Sequence, residues 1–179
     1  KVSADPLQVI PIGRNAHSIR VDDSNRFVYV PSLGSDAIFV FDFDAKTGKL
    51  TSATPAIFLM KATTGPRHFV TSLDNKYLYV LSEFLATVTT FAIDPKTGQL
   101  TEVGTATGLP PDTKLVAGAP RGSIAGRNMD NDIWAADIHL TPNGKFMYVS
   151  ERTSNSLGAF DVDGATGKLL WRKYTVPAP

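Results

Sequence analysis

Cysteine is absent from this chain, which excludes disulfides and thiolate metal sites and leaves redox chemistry silent about compartment. No apolar run approaches the roughly 20 residues that a membrane helix needs. Charge of one sign is lacking too. Eighteen Lys and Arg stand against 17 Asp and Glu, for a net charge of +1, so the bulk electrostatics of a nucleic-acid or membrane-surface binder are missing. There is no nucleophile elbow, phosphate loop or dinucleotide fingerprint, and no sustained helical period. The chain opens at Lys1 rather than at methionine, so an export signal is neither read nor excluded. What remains is the composition of a soluble globular protein, 42% hydrophobic and 20% charged. Its length suits one domain or two small ones, and nothing separates a cytoplasmic from a bacterial periplasmic home.

What the chain does have is a repeat. "SNRFVYVPSLGSDAIFVFDFDAKTGKL" (24–50), "DNKYLYVLSEFLATVTTFAIDPKTGQL" (74–100) and "NGKFMYVSERTSNSLGAFDVDGATGKL" (143–169) align without a gap. Arg26, Lys76 and Lys145 are equivalent, as are Gly48, Gly98 and Gly167. Each unit reads as four short strands. A first strand (His17–Val21, Arg67–Thr71, Asp137–Thr141) runs into a polar turn such as Asp74-Asn75 or Asn143-Gly144. An apolar second strand follows (Phe27–Val30, Tyr77–Leu81, Phe146–Val149). The third (Ile38–Phe43, Val88–Ile93, Leu157–Val162) ends in a Thr-Gly turn, and a fourth starts at Leu50, Leu100 or Leu169. Pro55, Pro95, Pro120 and Pro142 suit loops and strand ends.

Four strands in a repeat of this length define an all-β fold, the β-propeller built from four-stranded antiparallel blades. A β-sandwich would leave the repeat unexplained. The units are expected near 15–60, 65–108 and 134–175 of a single partial propeller, with a long loop insertion near 101–135. Counting Leu7–Ile12 as the last strand of a preceding blade gives about three and a half blades.

Charges fall at odd places on these strands. In a blade the first strand is innermost and the second antiparallel to it, so the start of one and the end of the other share a face. His17 and Arg67 are equivalent at the starts of first strands, and Leu33, Glu83 and Arg152 at the ends of second strands. His17, Arg67, Glu83 and Arg152 should therefore gather at one mouth of the central channel. An Arg–Glu pair at strand ends also has a purely structural reading. Against it, this ring varies while framework positions such as Tyr29, Tyr79 and Tyr148 stay constant, which is how sites are grafted onto folds. "DFDAKTG" and "DVDGATG" resemble the start of a calcium loop, but the glycine comes one place late and they read as turns. His68, Asp137 and His139 could bind a metal only if their strand positions share a side.

The motifs "NAHSI" with "NRFVYVPSLGSD", "GPRHFVTS" with "DNKYLYVLSE", and "WAADIHLTPNGKFMYVSERTS" closely resemble the bacterial lactonase family of seven-bladed propellers. That family includes propeller-type 6-phosphogluconolactonases and a muconate lactonizing enzyme. The resemblance implies that this chain is about half of a seven-bladed protein. It also implies a site of one His, two Arg and one Glu, matching His17, Arg67, Glu83 and Arg152.

On that reading Arg67 and Arg152, with His68, bind a small anionic lactone, the arginines also stabilising an oxyanion. Glu83 deprotonates water, and His17 protonates the leaving oxygen. The alternatives are a muconate-type cycloisomerase, in which Glu83 removes a carbon-bound proton, and a non-catalytic propeller that binds a ligand or protein. No cofactor or metal is expected, and no nucleic-acid or membrane partner. The open ends of a half propeller are expected to self-associate or to pair with the missing half.

Overall fold

A computed structural model describes residues 5–120, 126 and 128–175. Its strands form three four-stranded antiparallel sheets, each paired in chain order. The first blade holds β1 (Arg20–Val21), β2 (Phe27–Ser32), β3 (Ala37–Asp44) and β4 (Lys49–Leu59). The second holds β5 (Pro66–Thr71), β6 (Tyr77–Ser82), β7 (Thr87–Ile93) and β8 (Leu100–Thr107). The third holds β9 (Ala135–Leu140), β10 (Phe146–Glu151), β11 (Ser156–Val162) and β12 (Leu169–Thr175). One short 3₁₀ turn, Leu33–Ser35, is the only helical element among the described residues. These are propeller blades, and their inner strands lie side by side, β5 against β9.

Local chemistry explains why the turns recur. Asn25, Asn75 and Gly144 hold equivalent positions at φ 58°, 57° and 69°, a left-handed region that Asn and Gly tolerate best. The outer turns close on Asp44, Asp94 and Asp163, whose Oδ1 atoms accept the amides of Lys46, Lys96 and Ala165 at 2.9, 2.7 and 2.9 Å. Asp44 and Asp163 thus cap their own turns, as the turn reading of those two motifs requires.

The apolar run of β6 is uninterrupted because it serves two seams at once. Leu78 and Val80 pack with Phe27, Tyr29 and Val40 of the first blade. Tyr79 and Leu81 pack with Ile138, Met147, Val149 and Phe160 of the third. Successive residues of a strand point to opposite faces, so a strand buried on both sides loses its polar alternation. Two close approaches fix the blade spacing. A Cβ on Gly98 would sit 2.5 Å from the Phe27 ring, and one on Gly167 2.5 Å from the Tyr77 ring.

Some details differ from the sequence expectation. β1 is two residues long, and Ala16 joins Ser32 only through an isolated bridge. Pro55 lies inside β4, where the register slips opposite Val40 on the outermost strand; an edge strand at a slip tolerates the missing N–H. β8 occupies the start of the stretch expected as loop, and the connection to β9 runs from 108 to 134; residues 121–125 and 127 of it lie outside the described residues. Leu7–Ile12 is not a strand. It lies along the far side of the first blade, Ile10 and Ile12 against Val28, Val30 and Phe41. The Gln8 side chain brackets Leu50 there, donating to its carbonyl at 2.8 Å and accepting from its amide at 2.9 Å.

Candidate active site

Each inner strand carries the same irregularity. Pro66 pairs with Ser82 and Phe69 with Val80, so Arg67 and His68 together oppose Leu81 alone. In the third blade Ala135 pairs with Glu151 and Ile138 with Val149, so Ala136 and Asp137 oppose Ser150. In the first, Ala16 bridges Ser32 while Arg20 pairs with Tyr29, again one residue in excess on the inner strand. A bulge of this kind bends the strand and re-aims its side chains. The equivalent pairs His17-Ser18, Arg67-His68 and Ala136-Asp137 all fall on it.

Four of the expected site residues meet there. Glu83 sits between two guanidiniums: Arg67 Nε donates to Oε2 at 2.7 Å, and Arg152 Nη2 to Oε1 at 2.8 Å. His17 Nε2 is 3.9 Å from Glu83 Oε2, beyond hydrogen-bond length. The Glu83 side chain is 10% exposed, and its backbone is fixed as well, the amide to Gly65 and the carbonyl to Ala135. Arg67 also donates through Nη1 to the Ala136 carbonyl, and Arg152 through Nε to the Trp134 carbonyl at 2.9 Å. Arg67 Nη2 and Arg152 Nη1 take no hydrogen bond among the described residues. Burial, then the nearby Arg67 charge, pull the His17 pKa below its ordinary 6.5 against the opposing pull of Glu83, so its imidazole is neutral at pH 7. A cavity of about 220 Å³ opens beside His17 and Glu83, walled by Asn15, Leu33, Phe84, Pro120 and Trp134. The larger hollow of about 470 Å³ is an apolar recess on the far side of the first blade, lined by Leu7, Ile10, Ile12 and Phe41.

His68 lies next to this group. Its ring meets that of His17 edge to face, centroids 5.5 Å apart, and its Nδ1 is 2.8 Å from Asp137 Oδ1. The other Asp137 oxygen lies 2.9 Å from His139 Nε2. The bulge thus brings His68, Asp137 and His139 together in a hydrogen-bonded chain; no cluster of three or more His, Asp or Glu among the described residues is arranged to hold a metal ion.

Two carboxylates of this region were not picked out for the site by the sequence. Asp137 is one. The other is Glu151, buried, accepting the Trp134 amide at 2.8 Å, the Ser154 amide at 2.7 Å and the Ser154 hydroxyl at 2.6 Å. Its burial alone would raise its pKa, but these hydrogen bonds hold it below the usual range. Glu151 thereby fixes Trp134, whose carbonyl orients Arg152. The repeat held a signal, since Ser32 and Ser82 are the counterparts of Glu151.

The chain and its fold have counterparts among known proteins. A family profile described as "Lactonase, 7-bladed beta-propeller" matches residues 11–176. The chain belongs to that family of seven-bladed lactonase propellers. It is 32% identical over 180 residues to a 6-phosphogluconolactonase of Pectobacterium carotovorum, covering 99% of this chain and 49% of that protein. A 6-phosphogluconolactonase of Yersinia pestis is 30% identical over 97% of this chain and 48% of its own length. Among solved structures, the periplasmic gluconolactonase of Pseudomonas aeruginosa superposes with a TM-score of 0.73 at 28% identity, covering 89% of this chain and 40% of that one. The chain spans about half the length of the curated relatives it matches.

Proposed function

We propose that the intact protein hydrolyses an anionic sugar lactone of the 6-phosphogluconolactone kind. The names of the relatives support the reaction class. The observation that carries the reading is the pair of guanidiniums, from adjacent blades, converging on one carboxylate. Two positive charges against one leave an excess of one, and each guanidinium keeps a terminal nitrogen uncommitted among the described residues. That arrangement suits a doubly contacted anion, or one anion and one developing oxyanion. Glu83 preorganises the two arginines, so little reorganisation is needed when substrate arrives. Neutral His17, on the wall of the cavity, is placed to donate a hydrogen bond to the ring oxygen as it leaves.

The test compares a phosphorylated lactone with its unphosphorylated analogue in steady-state turnover. Arg67→Lys and Arg152→Lys are each expected to lower kcat/KM for the phosphorylated lactone by about tenfold or more, because an ammonium cannot reproduce the planar fork. The neutral lactone should be less affected. Equal losses on both would remove the arginines from anion recognition, and absence of lactone turnover in the wild-type protein would overturn the reading.

A further inference from the structure

The expected base, Glu83, has both oxygens engaged by guanidiniums. Taking a proton from water there would require breaking the ion pairs of a carboxylate that is itself nine-tenths shielded from solvent. The bulge pair of the second blade offers a different group. His68 Nδ1 faces Asp137 Oδ1 at 2.8 Å across the seam between blades. Asp137 is itself held in place: its amide donates to Ser150 Oγ at 3.1 Å, and Oδ1 also accepts the Ile138 amide at 3.0 Å. Partial burial works against its charge, but hydrogen bonds from His68 and His139 hold its carboxyl at about 2. An ionised carboxylate only accepts, so His68 Nδ1 carries a proton, and in the neutral ring Nε2 is left with its lone pair.

Among the described residues, only Arg67 comes within hydrogen-bond range of His68 Nε2. Arg67 Nη1 lies 3.4 Å from both ring nitrogens. In the ring plane such a position would collide with Cε1, so the guanidinium sits over the ring face. Asp137 stands where it steadies the imidazolium once a proton is taken up, as the carboxylate does in an Asp–His pair. The His68 side chain is 32% exposed, which leaves room for water.

We infer that His68, oriented by Asp137, is the proton acceptor that activates water in this site, Glu83 being kept as the carboxylate that holds the arginines. The inference rests on the lactone-hydrolase reading above. As the water oxygen bonds to the lactone carbonyl carbon, its proton passes to His68 Nε2 and the carbonyl electron pair moves onto oxygen beside a guanidinium. Collapse breaks the bond to the ring oxygen, which takes the proton back from the imidazolium. The product is a hydroxy acid, which ionises in solution; no other reactant is needed.

The experiment measures kcat and KM for lactone hydrolysis by the intact protein and its His68→Gln, His68→Ala and Asp137→Asn variants. His68→Gln is expected to lower kcat by about 10²–10⁴-fold with KM little changed, and added imidazole to restore part of the activity of His68→Ala. Asp137→Asn should lower kcat too, by up to about 10⁴-fold. The charged and titratable groups facing His68 are Arg67, His17 and Asp137, so losing the only carboxylate among them makes His68 less basic. The acid limb of the kcat profile should accordingly move to lower pH, which a merely structural Asp137 would not do. Wild-type kcat in His68→Gln overturns the inference while leaving the lactonase reading intact, as does loss of activity that imidazole never restores. A wild-type protein without lactone hydrolysis overturns both.

Discussion

Tyr79 and Tyr148 are the same residue at the same place in two blades, yet Tyr79 is 0% exposed and Tyr148 42%. Their own strands do not account for this, since both are central and paired on both sides. The difference is the neighbour. The third blade covers Tyr79, and no described residue covers that side of β10, where Leu157 and Leu170 are exposed as well. The far side of the first blade is a middle case: Ile10 and Ile12 cover Val28, Val30 and Phe41, while Leu7 and Ile19 stay exposed. A blade therefore supplies surfaces, and the seam between blades supplies stability, as in other stacked-repeat proteins. The candidate site obeys the same rule, with His17, Glu83 and Arg152 coming from three successive blades.

The largest expected effect breaks this comparison directly. Tyr79→Ala should cost about 3–5 kcal/mol by removing a large side chain from a closed seam, and Tyr148→Ala within about 0.5 kcal/mol in the 179-residue chain. Urea denaturation measures both. The isolated chain is expected to self-associate through the open face, visibly in light scattering, and Tyr148→Ala to weaken that association. In an intact protein where a further blade covers Tyr148, the two substitutions should cost alike.

Glu83→Gln comes next. It leaves two guanidiniums without their shared counter-charge at the second seam, and about 3 kcal/mol of destabilisation is expected from breaking a largely buried pair. If Glu83 holds the arginines, KM for an anionic lactone rises together with the fall in kcat. A fall in kcat alone, at unchanged KM and melting temperature, would return the role of base to Glu83.

The smallest effect concerns pH. The folded-state pKa of His17 is lowered from 6.5, so as pH falls the unfolded chain takes up the proton first. Its contribution to stability is full above 6.5 and declines as pH falls toward the folded value. His17→Gln should flatten the loss of melting temperature between about pH 7 and pH 5. An unchanged slope would mean that the burial of this ring does not oppose its charge.

The blades were legible because turn chemistry repeats: Asn25, Asn75 and Gly144 hold one backbone angle, and Asp44, Asp94 and Asp163 one cap. The meeting of His17, Arg67, Glu83 and Arg152 was legible for the same reason, since equivalent residues lie at equivalent heights in a ring. The partnership of His68 with Asp137 was not. Strict alternation puts neighbouring residues on opposite faces, and only the one-residue slip lets Arg67 and His68 serve one mouth. Nothing in the composition of "GPRHF" announces a bulge. Pro55 was missed similarly, because an outermost strand that slips its register accepts a proline that a central strand would reject.

The slip also separates two tasks that strands usually combine. Arg20, Phe69 and Ile138 resume ordinary pairing below it, and Tyr29, Tyr79 and Tyr148 keep the framework beside it. The two extra-wide positions on each inner strand can then change from His-Ser to Arg-His to Ala-Asp without any seam being recut. The mouth works like a rack with a pair of interchangeable slots per blade, set beside the equally variable strand ends that carry Leu33, Glu83 and Arg152.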